Sequence, residues 1–278
     1  MAGKAKRAVI VGVDASEDSL RAVRWAAQEA ARRDTDLQLF HACVVDSTDE
    51  GRYEPDLLLE HVYRQMHLAA KIARTASPGV EVETVVRRGL AVDLLLAESV
   101  HAPLVVLGSH GLGGLRGALI GSVALRVIAG AKCPVVVFRG RVDQRGPVVV
   151  GVDSSPASAE ALHFAVDAAA ARGVPLVVAH AAQQRVPSIE PTFTAQQAED
   201  RRQLEELVAV WARKHPDLEI TTRLVNDREP SRALMGVTPD AQLIVVGSRG
   251  RGPVVGGLLG STGNDLLAHA SCPVAVVH

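Results

Sequence analysis

Apolar residues are distributed along this chain in two alternating rhythms. Short apolar runs (Ala8-Val9-Ile10-Val11, Pro103-Leu104-Val105-Val106-Leu107 and Pro134 to Phe138) and short runs interrupted by polar residues (Leu37-Gln38-Leu39-Phe40 and Val80 to Val86) are separated by longer stretches in which apolar positions recur every three or four residues. Short β-branched runs predict strands buried on both faces, and the wider spacing predicts the helices that cover them. Behind Ser16, read as an N-cap, Leu20, Val23, Ala27 and Ala30 share one helical face. Leu58, Val62, Met66 and Ala69 form another, with Met66 read as core. Strand and helix alternate throughout, which predicts an α/β fold: a parallel, doubly wound sheet with helices on both faces and right-handed crossovers.

The rhythm runs twice. Gly247 follows Gly108 by 139 residues, and the same interval carries Gly12 to Gly151, Asp14 to Asp153, His41 to His180, and Cys133-Pro134-Val135 to Cys272-Pro273-Val274. Ser155-Pro156 supplies the second N-cap and first helical position, followed by Ala159, Leu162, Val166 and Ala169. Later come a strand over Leu176 to Ala181, a stripe of Leu204, Val208 and Trp211, and strands over Glu219 to Val225, Ala241 to Val246 and Pro273 to Val277. Trp211 continues an apolar stripe and is read as core, like Met66. Polar, proline-containing loops are expected at Asp46 to Pro55 and Gln183 to Pro191. One interval without net insertion means two copies of one unit. The expected domains are residues 1–140 and 147–278, joined by a linker over 141–146 inside the polar stretch Arg139 to Gly146.

Composition narrows the chemistry. Thirty Lys and Arg against thirty-one Asp and Glu give a formal net charge of −1, so no global field draws in nucleic acid or an anionic membrane. Anion binding has to be local. The apolar run behind the basic start Met1 to Arg7 is too short for a signal-peptide core, and no segment approaches the ~18 apolar residues of a membrane span. A cytoplasmic protein is expected. Cys43, Cys133 and Cys272 are odd in number and lack metal-type spacing, which fits buried small apolar residues in a reducing compartment. No metal site is expected.

In each copy one stretch goes beyond what the fold needs. Gly108, two residues, Gly111, nine residues and Gly121-Ser122 lie between a strand and a helix, and Gly247, Gly250 and Gly260-Ser261 repeat the spacing. Glycines let main-chain N–H groups approach an anion, and Ser122 and Ser261, expected at the helix N-caps, would add a hydroxyl beside the positive end of the dipole. A phosphate seat is therefore predicted in both copies. No lysine precedes either serine, so this is not a P-loop, and the dinucleotide fingerprint is missing after the first strand, where only Gly12 and Gly151 stand. His110, Gly114 and Arg116 in the first copy, and Arg249, Arg251 and Gly252 in the second, either place polar groups beside phosphates or line solvated loops. Asp14 and Asp153, closing the first strands, either accept an amino group such as that of adenine or order the turn that follows. His41 and His180 are read as structural residues at strand ends. No Gly-x-Ser-x-Gly elbow, His-Glu-x-x-His or paired carboxylates point to hydrolysis, so no catalytic residues are assigned.

The Val-Gly-Val-Asp strand ends (11–14 and 150–153), the glycine spacing closed by Gly-Ser and the final Cys-Pro-Val strands together resemble the universal stress protein family, in its tandem-domain, ATP-binding form. The resemblance covers nearly the whole chain. It implies a five-stranded parallel sheet per domain, ATP in each crevice with Mg2+ allowed between its phosphates, pairing of the domains through their last strands, and a homodimer with an unidentified protein partner. By position, Asp14 and Asp153 would meet adenine above Ala42 and Ala181. Gly108, Gly111, Gly121, Ser122 and Val123, with Gly247, Gly250, Gly260, Ser261 and Thr262, would hold ribose and phosphates. The implied function is a stress-response regulator in which ATP sets conformation or partner choice without efficient catalysis. A weak ATPase or adenylating enzyme of the same superfamily is the alternative, although the pyrophosphate loop of adenylating relatives is replaced by Asp14-Ala15-Ser16. A nucleotide-independent scaffold dimer is the third reading.

Overall fold

The structure, a computed structural model, describes residues 7–43, 55–111, 120–141, 144–153, 155–182, 191–226, 229–237, 239–249 and 259–278. The chain divides into two compact units, Met1–Arg139 and Gly140–His278. In the first, elements alternate as β1 (Ala8–Gly12), α1 (Glu17–Arg32), β2 (Asp36–Cys43), α2 (Pro55–Ala76), β3 (Val82–Arg88), α3 (Ala91–Glu98), β4 (Val105–Gly108), α4 (Ser122–Gly130) and β5 (Val135–Phe138). The second repeats the order as β6 (Val148–Gly151), α5 (Pro156–Arg172), β7 (Leu176–Ala182), α6 (Pro191–Lys214), β8 (Ile220–Asn226), α7 (Pro230–Val237), β9 (Leu243–Gly247), α8 (Ser261–His269) and β10 (Val274–Val277).

Within the first unit the strand order is β3-β2-β1-β4-β5, and every described pair is parallel. The second unit runs β8-β7-β6-β9-β10, again parallel. The expected α/β class with Rossmann-like sheets is what the chain forms. Winding goes outward from β1 through β2 to β3, then returns past the start to β4 and β5. Right-handed crossovers therefore put α1 and α2 on one face and α3 and α4 on the other, and those are the helices that pack together. The central strands carry the core: Val9, Val11, Val105, Val106, Val135 and Val136 have no exposed surface, and neither do Val148, Val149, Leu243 and Val245 in the second unit.

Caps follow the reading at two helices. The Ser16 hydroxyl accepts from the Ser19 N–H, and that of Ser155 from the Ser158 N–H with Pro156 following, so each satisfies an orphan donor of its helix. Other expectations need correction. Val23, Ala27 and Ala30 are buried as their spacing implied, but Leu20 is only half-buried and its counterpart Ala159 is exposed, because the residues of the first turn that face the sheet are Ser19 and Ser158, one position earlier. Met66 is core at 2% exposure; Trp211 is half-buried on α6, with its ring between His163 and His215 at 5.2 and 6.1 Å and the Lys214 ammonium 4.9 Å from its centroid. An indole tolerates this surface position because its polar neighbours cover its faces. The side chain of Leu58 and the loops 44–54 and 183–190 lie outside the described residues. The second unit already includes Gly140 and Gly146. Gly140, at φ 72°, and Gly146 lie so close to the carbonyls of Ser271 and Asp240 that a Cβ on either would collide with them.

All three cysteines are buried and free. Burial pushes the Cys133 thiol up to about 11. No helix among the described residues is long and apolar enough to cross a membrane.

Candidate functional site

β1 pairs with β2 on one side and β4 on the other, so the winding reverses between β1 and β4. At such a point the connections leave in opposite directions and open a crevice beyond the carboxyl ends of the strands. Here it is flanked by Val13 to Ser16 on one side and Ser109 to Gly111 on the other. Asp14 and Gly111, a residue interval apart that only the fold can close, meet across it: a Cβ on Gly111 would collide with Asp14 Oδ2.

The first wall is ordered by Asp14 itself. Its Oδ1 accepts from the Ser16 N–H at 3.1 Å and the Ser16 hydroxyl at 2.6 Å, while Ala15 between them adopts φ 66°, a left-handed conformation unusual for alanine. The Ser16 hydroxyl also stands 3.2 Å from the His110 carbonyl, tying the two walls together. In the second unit Asp153 Oδ1 accepts from the Ser155 N–H at 2.9 Å, and the Ser155 hydroxyl donates to the Arg249 carbonyl at 3.2 Å. The turn-ordering reading of Asp14 and Asp153 thus describes one carboxylate oxygen of each. His41 and His180 hold the strand ends: the carbonyls of Val13 and Val152 can only accept, so Nδ1 of each ring carries the proton and donates at 2.7 and 2.8 Å.

The second wall ends in a helix. Gly121 is the N-cap of α4 and Gly260 that of α8, both with extended backbone and neither giving a side-chain cap. Ser122 and Ser261, expected as caps, are instead the first helical residues, because the extended conformation that a cap requires falls one position earlier. The Gly121 N–H donates to the Ser109 carbonyl at 2.8 Å, which brings the start of α4 against the β4 loop. Ser122 and Val123 are exposed there, as is Ser261; Thr262 is half-buried.

The glycines separate into two kinds. A Cβ on Gly108 would fall 2.9 Å from the backbone of Asp18 and Ser19, and one on Gly247 equally close to Ala157, so these two let a strand end touch a helix. Gly12 and Gly151 likewise face Leu107 and Leu234 at 2.7 and 2.8 Å. Gly121 and Gly260 are different. Their backbone suits any residue, a Cβ on Gly121 would meet only ordinary contacts at 3.5 Å or more, and Gly260 has nothing within 4 Å among the described residues. No contact among the described residues requires glycine at either position.

Ala42 lies in β2 in register with Arg87, and Ala181 in β7 in register with Val225, each near the carboxyl end of its strand. Gly114, Arg116, Gly250, Arg251 and Gly252 lie outside the described residues. Among the described residues no three His, Cys, Asp or Glu side chains gather as a metal cage.

One cluster went unread in the sequence. The buried Ser109 hydroxyl donates to Asp18 Oδ2 at 2.7 Å, and His110 Nδ1 reaches the same oxygen at 3.1 Å and Ser109 Oγ at 3.1 Å. Burial alone would raise the Asp18 carboxyl, but hydrogen bonds from Ser109 and His110 and the charge of the latter outweigh it and hold the group below the usual aspartate range. The residue types are those of a hydrolytic triad; the geometry is not. Serine and aspartate share one ring nitrogen, and the serine proton is directed at the carboxylate instead of at a base. Ser109 has a counterpart in Ser248, but Asp18 aligns with Ala157 and His110 with Arg249, so repetition gave no signal for the cluster.

The Universal stress protein family matches the chain twice, over residues 6–139 and 145–278. A universal stress protein of Mycolicibacterium smegmatis is 37% identical over 283 residues, covering 97% of this chain and 96% of its own. One from Mycobacterium tuberculosis is 37% identical over 293 residues, covering 99% and 97%. Among solved structures, a universal stress protein from Archaeoglobus fulgidus superposes with a TM-score of 0.73 at 21% identity, covering 98% of this chain and 96% of that one, which bears on the fold alone.

Proposed function

The chain belongs to the universal stress protein family, and from that premise we propose that it is an ATP-binding stress-response regulator with one adenine-nucleotide site in each crevice. The observation that carries this reading is the pair of helix starts at Gly121 and Gly260, which give no side-chain cap and where no contact among the described residues requires glycine. Orphan N–H groups and the positive end of a helix dipole favour an anion by about 0.3–1 kcal/mol when exposed and more when partly shielded. A side chain at either glycine would take the place of the phosphate. Asp14 and Asp153, held by Ser16 and Ser155, are oriented acceptors for the adenine amino group across the crevice. A Mg2+ ion would enter with the nucleotide and would neutralise phosphate charge there.

Nucleotide occupancy, on this reading, acts through conformation or partner choice. Ser109 is buried and donates its proton to Asp18, so it offers no activated nucleophile.

The test is calorimetric titration of ATP into the wild type, Gly121→Glu and Gly260→Glu, with circular dichroism confirming the fold of each. Two sites are expected in the wild type and one in each variant, because a carboxylate at the helix start repels phosphate. Folded wild-type protein that releases no heat with millimolar ATP overturns the proposal, and rapid turnover of bound ATP overturns the regulator.

A further inference from the structure

The walls of the two crevices share the bonds from Ser16 to the His110 carbonyl and from Ser155 to the Arg249 carbonyl, and they differ in the charge of matching side chains and in the helix start, since a Cβ on Gly260 has no described atom within 4 Å. In the first, the Asp18 carboxylate lies within hydrogen-bond distance of Ser109 and His110, and the start of α4 lies directly against those residues: the Gly121 N–H bonds the Ser109 carbonyl, and a Cβ on Gly121 would stand 3.9 Å from His110 Cα. Whatever the protonation of the imidazole, an ionised Asp18 beside it leaves the pair with no net positive charge. In the second, the position of Asp18 is Ala157 and that of His110 is Arg249, whose guanidinium carries a fixed positive charge and whose side chain is exposed. Ser248 retains the hydroxyl position, so the exchange affects charge and leaves the hydroxyl in place.

We propose that the two crevices discriminate nucleotides by phosphate charge: the Arg249 crevice selects polyphosphates, and the Asp18–His110 crevice is comparatively indifferent to phosphate number and takes monophosphates on more nearly equal terms. The inference rests on the nucleotide reading above and adds what each half prefers. Asp18 offsets the charge of a protonated His110 and repels each added phosphate charge, whereas Arg249 attracts it and can form a charge-assisted hydrogen bond. The chain would thereby sense two different nucleotide species at once, and a shift from ATP to AMP would empty the second crevice before the first.

The experiment uses full-length protein with one crevice blocked, Gly260→Glu to expose the first and Gly121→Glu to expose the second, each titrated with ATP and with AMP. The ratio of ATP to AMP affinity is expected to be larger in the second crevice by on the order of tenfold, since partly exposed charge pairs are individually weak. Asp18→Asn, which keeps the side-chain volume, should raise the ratio in the first crevice. Ala157→Asp combined with Arg249→His should lower it in the second, and an acidic residue in the first turn of α5 favours the helix. Equal ratios in the two single-site proteins overturn the inference, as does an unchanged ratio in either exchange variant. Binding with matched ratios refutes only this inference; absence of binding in every folded protein refutes the nucleotide reading and the inference with it.

Discussion

The crevices of the two units are built to the same main-chain plan and finished with different side chains. In both, a carboxylate that closes the first strand accepts from the serine two residues on, and that serine's hydroxyl reaches the carbonyl two residues past the fourth strand: His110 in one, Arg249 in the other. Both helix starts are at glycine, and both strand-end glycines press on a helix backbone. What differs among the described residues includes Asp18 against Ala157, His110 against Arg249 and Val123 against Thr262, and a helix start that bonds the Ser109 carbonyl in the first unit without a counterpart at Gly260. A site whose frame is made by main chain and serine can change its charge without losing its shape.

The largest effect should come from the shared frame. Gly108→Ala and Gly247→Ala each drive a methyl into helix backbone that cannot yield, costing about 1–3 kcal/mol. Trp25 and Trp211, one in each unit, allow the halves to be followed separately by fluorescence in urea, using single-tryptophan variants. Equal losses in the two halves would confirm a common frame; full tolerance in either would mean that its glycine serves something other than packing.

Next come the caps. Ser16→Ala and Ser155→Ala should each remove about 1 kcal/mol, with the larger loss in the first unit, where the hydroxyl also stands 2.6 Å from Asp14. A larger loss at Ser155 would reverse the comparison.

Asp18 supplies a smaller, pH-dependent difference. Its folded-state pKa lies below the unfolded value of about 3.9, so its stabilising contribution is fully present above that value and disappears as pH falls through the depressed folded one. The carboxylate is half-buried and still partly screened by water, so the increment is small. Wild type should exceed Asp18→Asn in urea midpoint for the first unit at pH 7, with the gap closing on acidification, and the second unit should show no such gap. A gap that widens in acid contradicts the assignment. Smallest of all, Ala15→Gly should stabilise the first unit by about 0.5 kcal/mol, the relief of left-handed alanine exceeding the added chain entropy; destabilisation would show that the turn does not strain the alanine.

Much of this architecture was legible in the sequence because it rests on local periodicity. Unbroken valine runs can only be strands covered on both sides, and the 139-residue interval exposes the duplication before any fold is known. The glycine spacing likewise marked the strand-to-helix turns on which the proposed anion sites rest. The cap position was missed because Gly121 and Ser122 are both acceptable caps and only backbone angles decide between them. Trp211 was misplaced because an apolar stripe gives the direction of a helix face but not how far the sheet beneath it extends.

By itself the sequence determined the alternation of strand and helix, the twofold repeat, the apolar strands at each centre and the presence of paired glycine loops, since each depends on residues near one another in the chain. Only the tertiary structure decided which glycines serve packing and which leave space, and that Asp18 joins Ser109 and His110. Those properties depend on what lies opposite a residue, and the partners here are some ninety positions away, brought together by a winding reversal that no local pattern records.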